Sequence, residues 1–271
     1  LVTSNGVYRT VQGIEQKTPT GMVFGGSRGR AAEDIGRLSP RYAYAPDFFL
    51  GYVNKTVVTI GNDNGGPTIY SQVFGGGRDG HVRNSSHVII NNGTIGQAFS
   101  EYNSISDVTD RESQRRNCGN VYASGSGMGT WDGTHHGTSS GSITRNATVD
   151  VNGGTIYGNV YGGGAMSSVG PPKIGADAVY AAENWSKCTV NINGGTIGVG
   201  TDFSTYGYGG CVFGASRGGD LTTDEFSEGN LDNYATTLWN EVNIKGGTIA
   251  GDVYGGGQAG RVKMNNKVYL T

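Results

Sequence analysis

The sequence predicts an all-β fold, a single-stranded right-handed parallel β-helix (a solenoid) of about five to six coils with loop insertions of variable length. A degenerate cassette, TVxVxGGTIxGxVYGGG, recurs along the chain, with its best copies at residues 148–164 and 241–257. Apolar and polar residues alternate within each copy, and glycine pairs follow the apolar runs. Such repeats bury their apolar faces by stacking on their neighbours, and we take the right-handed sense from precedent for this fold.

Two recurring markers set the register of the copies. The marker V-[FY]-[GA] begins at Val23, Val73, Val121, Val160, Val212 and Val253. The marker T-I begins at Thr68, Thr94, Thr155, Thr196 and Thr248. The spacing of the first marker varies from 39 residues (160 − 121) to 52 residues (212 − 160). A constant framework with variable spacing predicts insertions at fixed places in the coil.

Each copy is predicted to contain short, half-buried strands. Val149 and Val151 share one face of such a strand, while Thr148 and Asp150 share the other. Because strand side chains alternate between two faces, valine and isoleucine should form inward ladders. The glycine pairs predict corners, since glycine adopts positive φ without a steric penalty.

An aromatic residue follows each register valine. These residues are Phe24, Phe74, Tyr122, Tyr161, Phe213 and Tyr254. We expect them at an outward or corner position, because valine already occupies the inward face. An interior aromatic stack is the alternative.

Residues 1–271 are predicted to be one continuous β-helix segment and an excerpt of a longer protein. The insertions are expected at about residues 28–54, 97–119, 165–187, 199–210 and 216–239. Each is shorter than a domain, and the cassette resumes after it. Short helices are expected inside them, at residues 107–116 and 224–235.

Composition and charge exclude some classes of function. The formal net charge is −2 and the sequence pI is about 6.1, so no nucleic-acid partner is expected. No stretch approaches the roughly 20 apolar residues of a membrane span, so no membrane insertion is expected within this segment. Cys118, Cys188 and Cys211 lack metal-ligand spacing and should pack beside the ladders. A Cys188–Cys211 disulfide is the alternative in an oxidising compartment.

The tetrapeptide GGTI occurs at residues 153–156, 194–197 and 246–249. Followed by an aromatic-glycine turn, it resembles the GG[AIL]I repeats of polymorphic outer-membrane proteins and related autotransporter-type adhesins. Threonine replaces the usual alanine-like residue, and the FxxN motif of that family is not evident. Copies with VYGGG resemble those of large surface proteins of gut Bacteroidetes. The resemblance implies a secreted or surface-displayed rod used for attachment, with its signal and anchoring segments outside this chain.

Arginines recur at one position of the repeat. Arg28, Arg78 and Arg217 each lie five residues after a register valine. Such a column would bind the carboxylates of a polysaccharide bidentately. Solvated turn residues that block lateral strand pairing are the alternative, because Ser126, Ala165 and Gln258 interrupt the column.

Aromatic residues are concentrated in two insertions. Tyr42, Tyr44 and Phe48 lie in one of them, and Tyr206 and Tyr208 lie in another. Aromatic side chains in polar loops stack on sugar rings or anchor a protein partner. Packing against the flank or the ends of the rod is the alternative.

Catalytic and metal motifs are weak. The turn NDNG at residues 62–65 resembles a Ca²⁺ loop but lacks the later bidentate glutamate, so no cofactor is expected. The outward acids Asp150 and Asp252 fall in different registers, and no catalytic residue is assigned.

These observations favour a non-enzymatic, secreted or cell-surface binding scaffold for a host or environmental glycan or a surface protein. A pectin-lyase-like lyase or glycoside hydrolase, or a phage tailspike-like glycan-binding protein, is the alternative. A monomer is expected rather than a trimer.

Overall fold

The computed structural model describes residues 8–11, 14–17, 21–29, 51–127, 141–170, 185–218 and 235–271. Across these residues the chain is mostly β, with parallel sheets in which strands of successive cassette copies lie side by side. The mostly β fold is therefore confirmed, and the arrangement is compatible with a parallel β-helix or solenoid.

The described strands and helices are short. In chain order the strands are β1 (Tyr8–Val11), β2 (Ile14–Lys17), β3 (Val23–Phe24), β4 (Val53–Ile60), β5 (Thr68–Ile69), β6 (Val73–Phe74), β7 (Val82–Ile90), β8 (Thr94–Ile95), β9 (Val121–Tyr122), β10 (Asn146–Val151), β11 (Thr155–Ile156), β12 (Val160–Tyr161), β13 (Lys187–Ile192), β14 (Thr196–Ile197), β15 (Val212–Phe213), β16 (Thr236–Thr237), β17 (Trp239–Ile244), β18 (Thr248–Ile249), β19 (Val253–Tyr254), β20 (Arg261–Val262) and β21 (Asn266–Leu270). The helices are a 3₁₀ helix (Phe99–Ser104), α1 (Val108–Asn117) and α2 (Gly200–Tyr206).

Three parallel sheets organise the described residues. The long sheet has the strand order β21-β17-β13-β10-β7-β4, and the T-I sheet has the order β18-β14-β11-β8-β5. The register sheet, built from the V-[FY] marker, has the order β19-β15-β12-β9-β6-β3. Two smaller pairs complete the set, an antiparallel β1-β2 and a parallel β16-β20.

Both sequence markers stack in register as predicted. Thr155 pairs with Thr94 on one side and Thr196 on the other. Val160 pairs in the same way with Val121 and Val212. Equivalent residues of successive copies therefore form straight columns across the sheets, because each parallel strand pair aligns the same cassette position.

The inward ladders of aliphatic side chains form the main core. Val149 and Val151 are fully buried, and their neighbours Thr148 and Asp150 on the other strand face are half-buried. The same core includes the isoleucines of the T-I sheet and the valines of the register sheet. Each buried aliphatic side chain contributes roughly 1.5–3 kcal/mol to folding. The predicted alternation of strand faces is confirmed.

Glycine pairs form the corner between the long sheet and the T-I sheet. The second glycine of each pair adopts positive φ: 80° at Gly154, 82° at Gly195 and 84° at Gly247. The first glycine lies too close to the neighbouring copy for a side chain, since a Cβ at Gly153 would lie 2.5 Å from the carbonyl oxygen of Asn91. The corners therefore exclude side chains for two separate reasons.

The four inner members of the aromatic ladder are buried, whereas Phe24 at one end is half-buried and Tyr254 at the other end is exposed. Ring centroids of successive members are separated by 4.6 Å (Tyr122–Tyr161) to 5.0 Å (Tyr161–Phe213), which matches the spacing of strands in a sheet. Its rings form a cluster separate from the aliphatic core, so they occupy the opposite strand face, as expected. Phe203 of α2 packs against this cluster. An insertion thus contributes to the packing around the ladder, and the inner members Tyr122 and Tyr161 are completely buried.

The predicted helix at residues 107–116 is confirmed as α1, capped by Asp107, which accepts a hydrogen bond from the backbone N–H of Asp110 at 2.8 Å. The other predicted helix, at residues 224–235, lies almost wholly outside the described residues. Residues 199–210, expected as a loop, contain α2, which ends at Gly207 in the left-handed region.

All three cysteines lie within the described residues, and they are buried and free of disulfide bonds, so the Cys188–Cys211 alternative is wrong. Cys188 packs in the aliphatic core and Cys211 beside the aromatic ladder, as the packing hypothesis predicted. Burial raises the pKa of the Cys118 thiol to about 11, so this thiol stays protonated at neutral pH.

Candidate functional site

The three predicted arginines lie in one column of the structure, together with the residues that interrupt the arginine pattern in the sequence. Isolated parallel bridges link Arg28 to Arg78, Arg78 to Ser126, Ser126 to Ala165, Ala165 to Arg217, and Arg217 to Gln258. Arg28 and Arg78 are therefore neighbours, whereas Arg217 lies three strand spacings from Arg78. At about 4.8 Å per spacing, that distance is about 14 Å. The column does not bring the three predicted arginines together at one point.

Arg217 lies in a different environment from Arg28. Arg28 is exposed, whereas Arg217 is half-buried. The Nη1 of Arg217 donates to Asn117 Oδ1 at 2.7 Å and reaches Tyr122 OH at 3.4 Å. Arg217 therefore joins the end of α1 to the aromatic ladder, and it is more than a solvated turn residue.

The C-terminal turn of α1 supplies two further arginines, Arg115 and Arg116. Basic side chains at this end of a helix are favoured by the helix dipole. Asn120 anchors the helix end, since its Nδ2 donates to the carbonyl oxygen of Arg116 at 2.9 Å. Its Oδ1 accepts from the backbone N–H of Asn159 at 2.8 Å, which ties the insertion to the next cassette copy.

Arg115 is the buried centre of this insertion. Its Nη1 lies 2.5 Å from Glu112 Oε1, and its Nε donates to the carbonyl oxygen of Phe99 at 3.2 Å. Its guanidinium also lies 4.2 Å from the centroid of the Tyr206 ring. Arg115 is 4% exposed, so a buried cation is compensated by a carboxylate, a carbonyl and an aromatic face.

The predicted ligand residues Tyr206 and Tyr208 pack against the α1 insertion. Their rings lie 5.8 Å and 5.6 Å from the ring of Phe99. The hydroxyl of Tyr208 donates to Glu112 Oε2. Tyr206 therefore packs between the insertions, Tyr208 also faces a cleft between them, and ligand binding by these two residues stays a prediction.

This cleft has a volume of about 240 Å³ and is the candidate site. It lies between the end of α1, the segment after α2 and the arginine column. Its lining includes Arg115, Arg116, Arg217, Tyr208, Asn159 and Gln258. We call it the arginine cleft.

The floor of the arginine cleft is held by hydrogen bonds. Tyr161 OH donates to Gln258 Oε1 at 2.5 Å and accepts from Asn159 Nδ2 at 3.0 Å. Asn159 Oδ1 accepts from the backbone N–H of Cys211 at 2.8 Å. The amide side chains of Asn159 and Gln258 are therefore fixed in orientation before any ligand arrives.

The arginine cleft is cationic. None of the described residues that line it is acidic, and the nearby Glu112 is engaged by Arg115 and Tyr208. The hydrogen bond from Tyr208 and the charge of Arg115 lower the pKa of Glu112. Burial and the Glu112 acceptor raise the pKa of Tyr208 to about 12. At neutral pH the glutamate is thus charged and the tyrosine neutral.

The acidic residues considered from the sequence do not form a cluster with metal-binding character. Asp150 lies on the long sheet, with Oδ2 2.7 Å from His87 Nε2, and Asp252 precedes β19 and accepts from Tyr254 at 2.9 Å. The NDNG segment forms a turn in which Asn64 N–H donates to Asn62 Oδ1. Within the described ranges, no group of three or more His, Cys, Asp or Glu side chains is placed to hold a metal ion.

Sequence reasoning missed Arg115, Arg116 and the packing of the two insertions against each other. Their signal was present as the basic end of the expected helix at residues 107–116. Tyr42, Tyr44 and Phe48, which were also predicted to bind ligand, lie outside the described residues.

No protein-family model, curated protein or solved structure matches this chain. Over the described part of the chain, no helix has the length and apolar character needed to cross a membrane.

Proposed function

We propose that this chain is a right-handed, single-stranded parallel β-helix segment of a secreted or surface-displayed bacterial protein. In this proposal it acts as a non-enzymatic scaffold that binds a glycan or protein ligand. The in-register columns across three parallel sheets support the architecture. The GGTI and VYGGG motifs support the surface location through their resemblance to adhesin repeats. The insertions are the parts that vary, and they carry the ligand contacts.

The arginine cleft carries this proposal. It forms where two insertions pack beside the register sheet, and it combines charged, aromatic and amide side chains. By contrast, the outer face of the long sheet pairs its polar side chains with one another, as in the contact of Lys187 Nζ with Glu241 Oε2 at 2.5 Å. A concave site with a few oriented polar groups is the usual form of a ligand site.

A buried histidine–serine pair is a poor candidate for a competing hydrolase site. His81 Nδ1 lies 3.0 Å from Ser142 Oγ, in a geometry that resembles a base and a nucleophile. His81 is 5% exposed and Ser142 8% exposed, so a polymeric substrate does not reach them. This burial argues against hydrolysis at the His81–Ser142 pair.

A glycan array combined with an activity assay tests the proposal. We expect retained binding of one glycan class and no product release from uronic-acid polymers. A lyase would instead release unsaturated uronides absorbing near ~235 nm, which would replace the proposal with the pectin-lyase-like alternative. Sedimentation as a trimer would favour the tailspike-like alternative, and a monomer agrees with the proposal.

A further inference from the structure

We propose that the arginine cleft binds the carboxylate of an acidic sugar, such as a uronate unit of a polysaccharide, with Arg116 and Arg217 as its cationic contacts. This inference rests on the proposed binding function and names the ligand class of that function. It concerns a site assembled from two insertions and the arginine column.

Charge points to an anionic ligand. Arg116 and Arg217 line the arginine cleft beside Arg115, whose charge Glu112 compensates, and the described lining contains no carboxylate. Glu112, the acid beside it, is held by Arg115 and Tyr208. Guanidinium groups bind carboxylates through paired hydrogen bonds, which favours a planar anion over a neutral ligand.

The volume and the lining residues of the arginine cleft favour a sugar unit over an extended ligand. The volume of about 240 Å³ is below the roughly 300–1,000 Å³ of pockets that enclose drug-sized molecules. Asn159 and Gln258 keep hydrogen-bonding capacity beyond their bonds to Tyr161 and Cys211, because each amide carries two N–H groups and two acceptor lone pairs, and this suits sugar hydroxyls. Tyr208 offers an aromatic surface beside them.

Arg116 is the contact best suited to a test. It is exposed, it lines the arginine cleft, and its guanidinium lies 5.2 Å from the centroid of the Tyr208 ring. Arg115 is unsuitable because it is buried and supports the insertion. Arg83 on β7 is a matched control, since it is exposed and is not among the residues that line the cleft.

The experiment is calorimetric titration of the whole chain with a short oligogalacturonate, with a neutral galactose oligomer of the same length, and with a sulfated galactose oligomer. The variants are Arg116→Gln, Arg116→Lys and Arg83→Gln, with circular dichroism to confirm an unchanged fold. The sulfated arm distinguishes a carboxylate site from a general anion site.

We expect the oligogalacturonate to bind, and Arg116→Gln to weaken that binding at least about tenfold, which is the scale of one charge-assisted hydrogen bond. Arg116→Lys should lie between the wild type and Arg116→Gln. Arg83→Gln should stay within about twofold, because a distant surface charge contributes little. Raising NaCl from about 50 to about 500 mM should also weaken binding.

Three results would overturn the inference. One is equal binding of the neutral and carboxylated oligomers, another is stronger binding of the sulfated one, and a third is an equal effect of Arg116→Gln and Arg83→Gln. If neutral glycans or a protein bind while every acidic glycan fails, the proposed function survives and this inference alone is lost. If no glycan or protein ligand binds, both are lost.

Discussion

At the scale of single residues, Asn120 and Asn159 connect successive copies of the repeat. Each precedes a register valine, and each side-chain oxygen accepts a backbone N–H from the next copy, at Asn159 and Cys211 respectively. Buried N–H groups need such partners, because leaving one unsatisfied costs about 1–3 kcal/mol. These side-chain amides thus replace the backbone acceptors of a sheet at a place where the chain is not in a strand.

His81 should make the fold sensitive to acid. Burial lowers its pKa to about 4, whereas an unfolded histidine has a pKa near 6.5. The unfolded state therefore binds the proton more tightly, and stability that is complete above about pH 6.5 is lost as the pH falls to 4. The loss from this group amounts to about 3 kcal/mol.

Urea denaturation between pH 7 and pH 4 measures this effect. His81→Asn should flatten the dependence of unfolding free energy on pH. His87→Gln is the control, because His87 is far less buried and pairs with Asp150 on the outer face of the long sheet. An unchanged slope in His81→Asn would contradict the assignment.

At the scale of elements, the two insertions stabilise each other. The 3₁₀ helix and α1 contribute Phe99, Glu112 and Arg115, and the segment from α2 onward contributes Tyr206 and Tyr208. The backbone N–H of Phe99 also donates to the side chain of Asp202 at 3.1 Å. The helix α1 can be predicted from its polar composition and its cap. The contacts between the two insertions cannot, because they join residues about 100 positions apart and have no local signature.

Glu112→Gln should loosen this pair of insertions. It removes the carboxylate that compensates buried Arg115 and accepts from Tyr208. Because the Glu112 side chain is 34% exposed, we expect a local cost of only about 1–3 kcal/mol. Hydrogen exchange should quicken in the 3₁₀ helix and α1 while the long sheet stays protected.

The control for this change is Glu101→Gln, an exposed acid in the same insertion. It should leave exchange rates unchanged. Equal exchange in the two variants would show that the Glu112 contacts do not hold the insertion.

At the scale of the whole molecule, stability comes from columns of equivalent side chains. Val190 lies in the central part of the long sheet, is fully buried, and pairs with Val149 and Val242. Each repeat packs mainly on its neighbours, so a defect in a central strand disturbs the copies on both sides.

Val190→Thr should therefore destabilise the chain by about 1–3 kcal/mol, since it buries a hydroxyl in an aliphatic column. The reverse exchange at the preceding residue, Thr189→Val, changes the outward face and should stay within about 0.5 kcal/mol. Guanidinium denaturation compares the two. Similar effects of both exchanges would contradict the assignment of strand faces.

The local pattern was sufficient to predict the strand faces, the glycine corners and the register of the columns. Alternation and glycine placement are properties of a few adjacent residues, and repetition aligns them from copy to copy. Tertiary packing decided the rest. It buried the inner rings of the aromatic ladder, paired Arg115 with Glu112, and placed Arg217 beside the end of α1. These outcomes depend on how insertions far apart in the chain fold back on the sheets, and that information is absent from any single stretch of sequence.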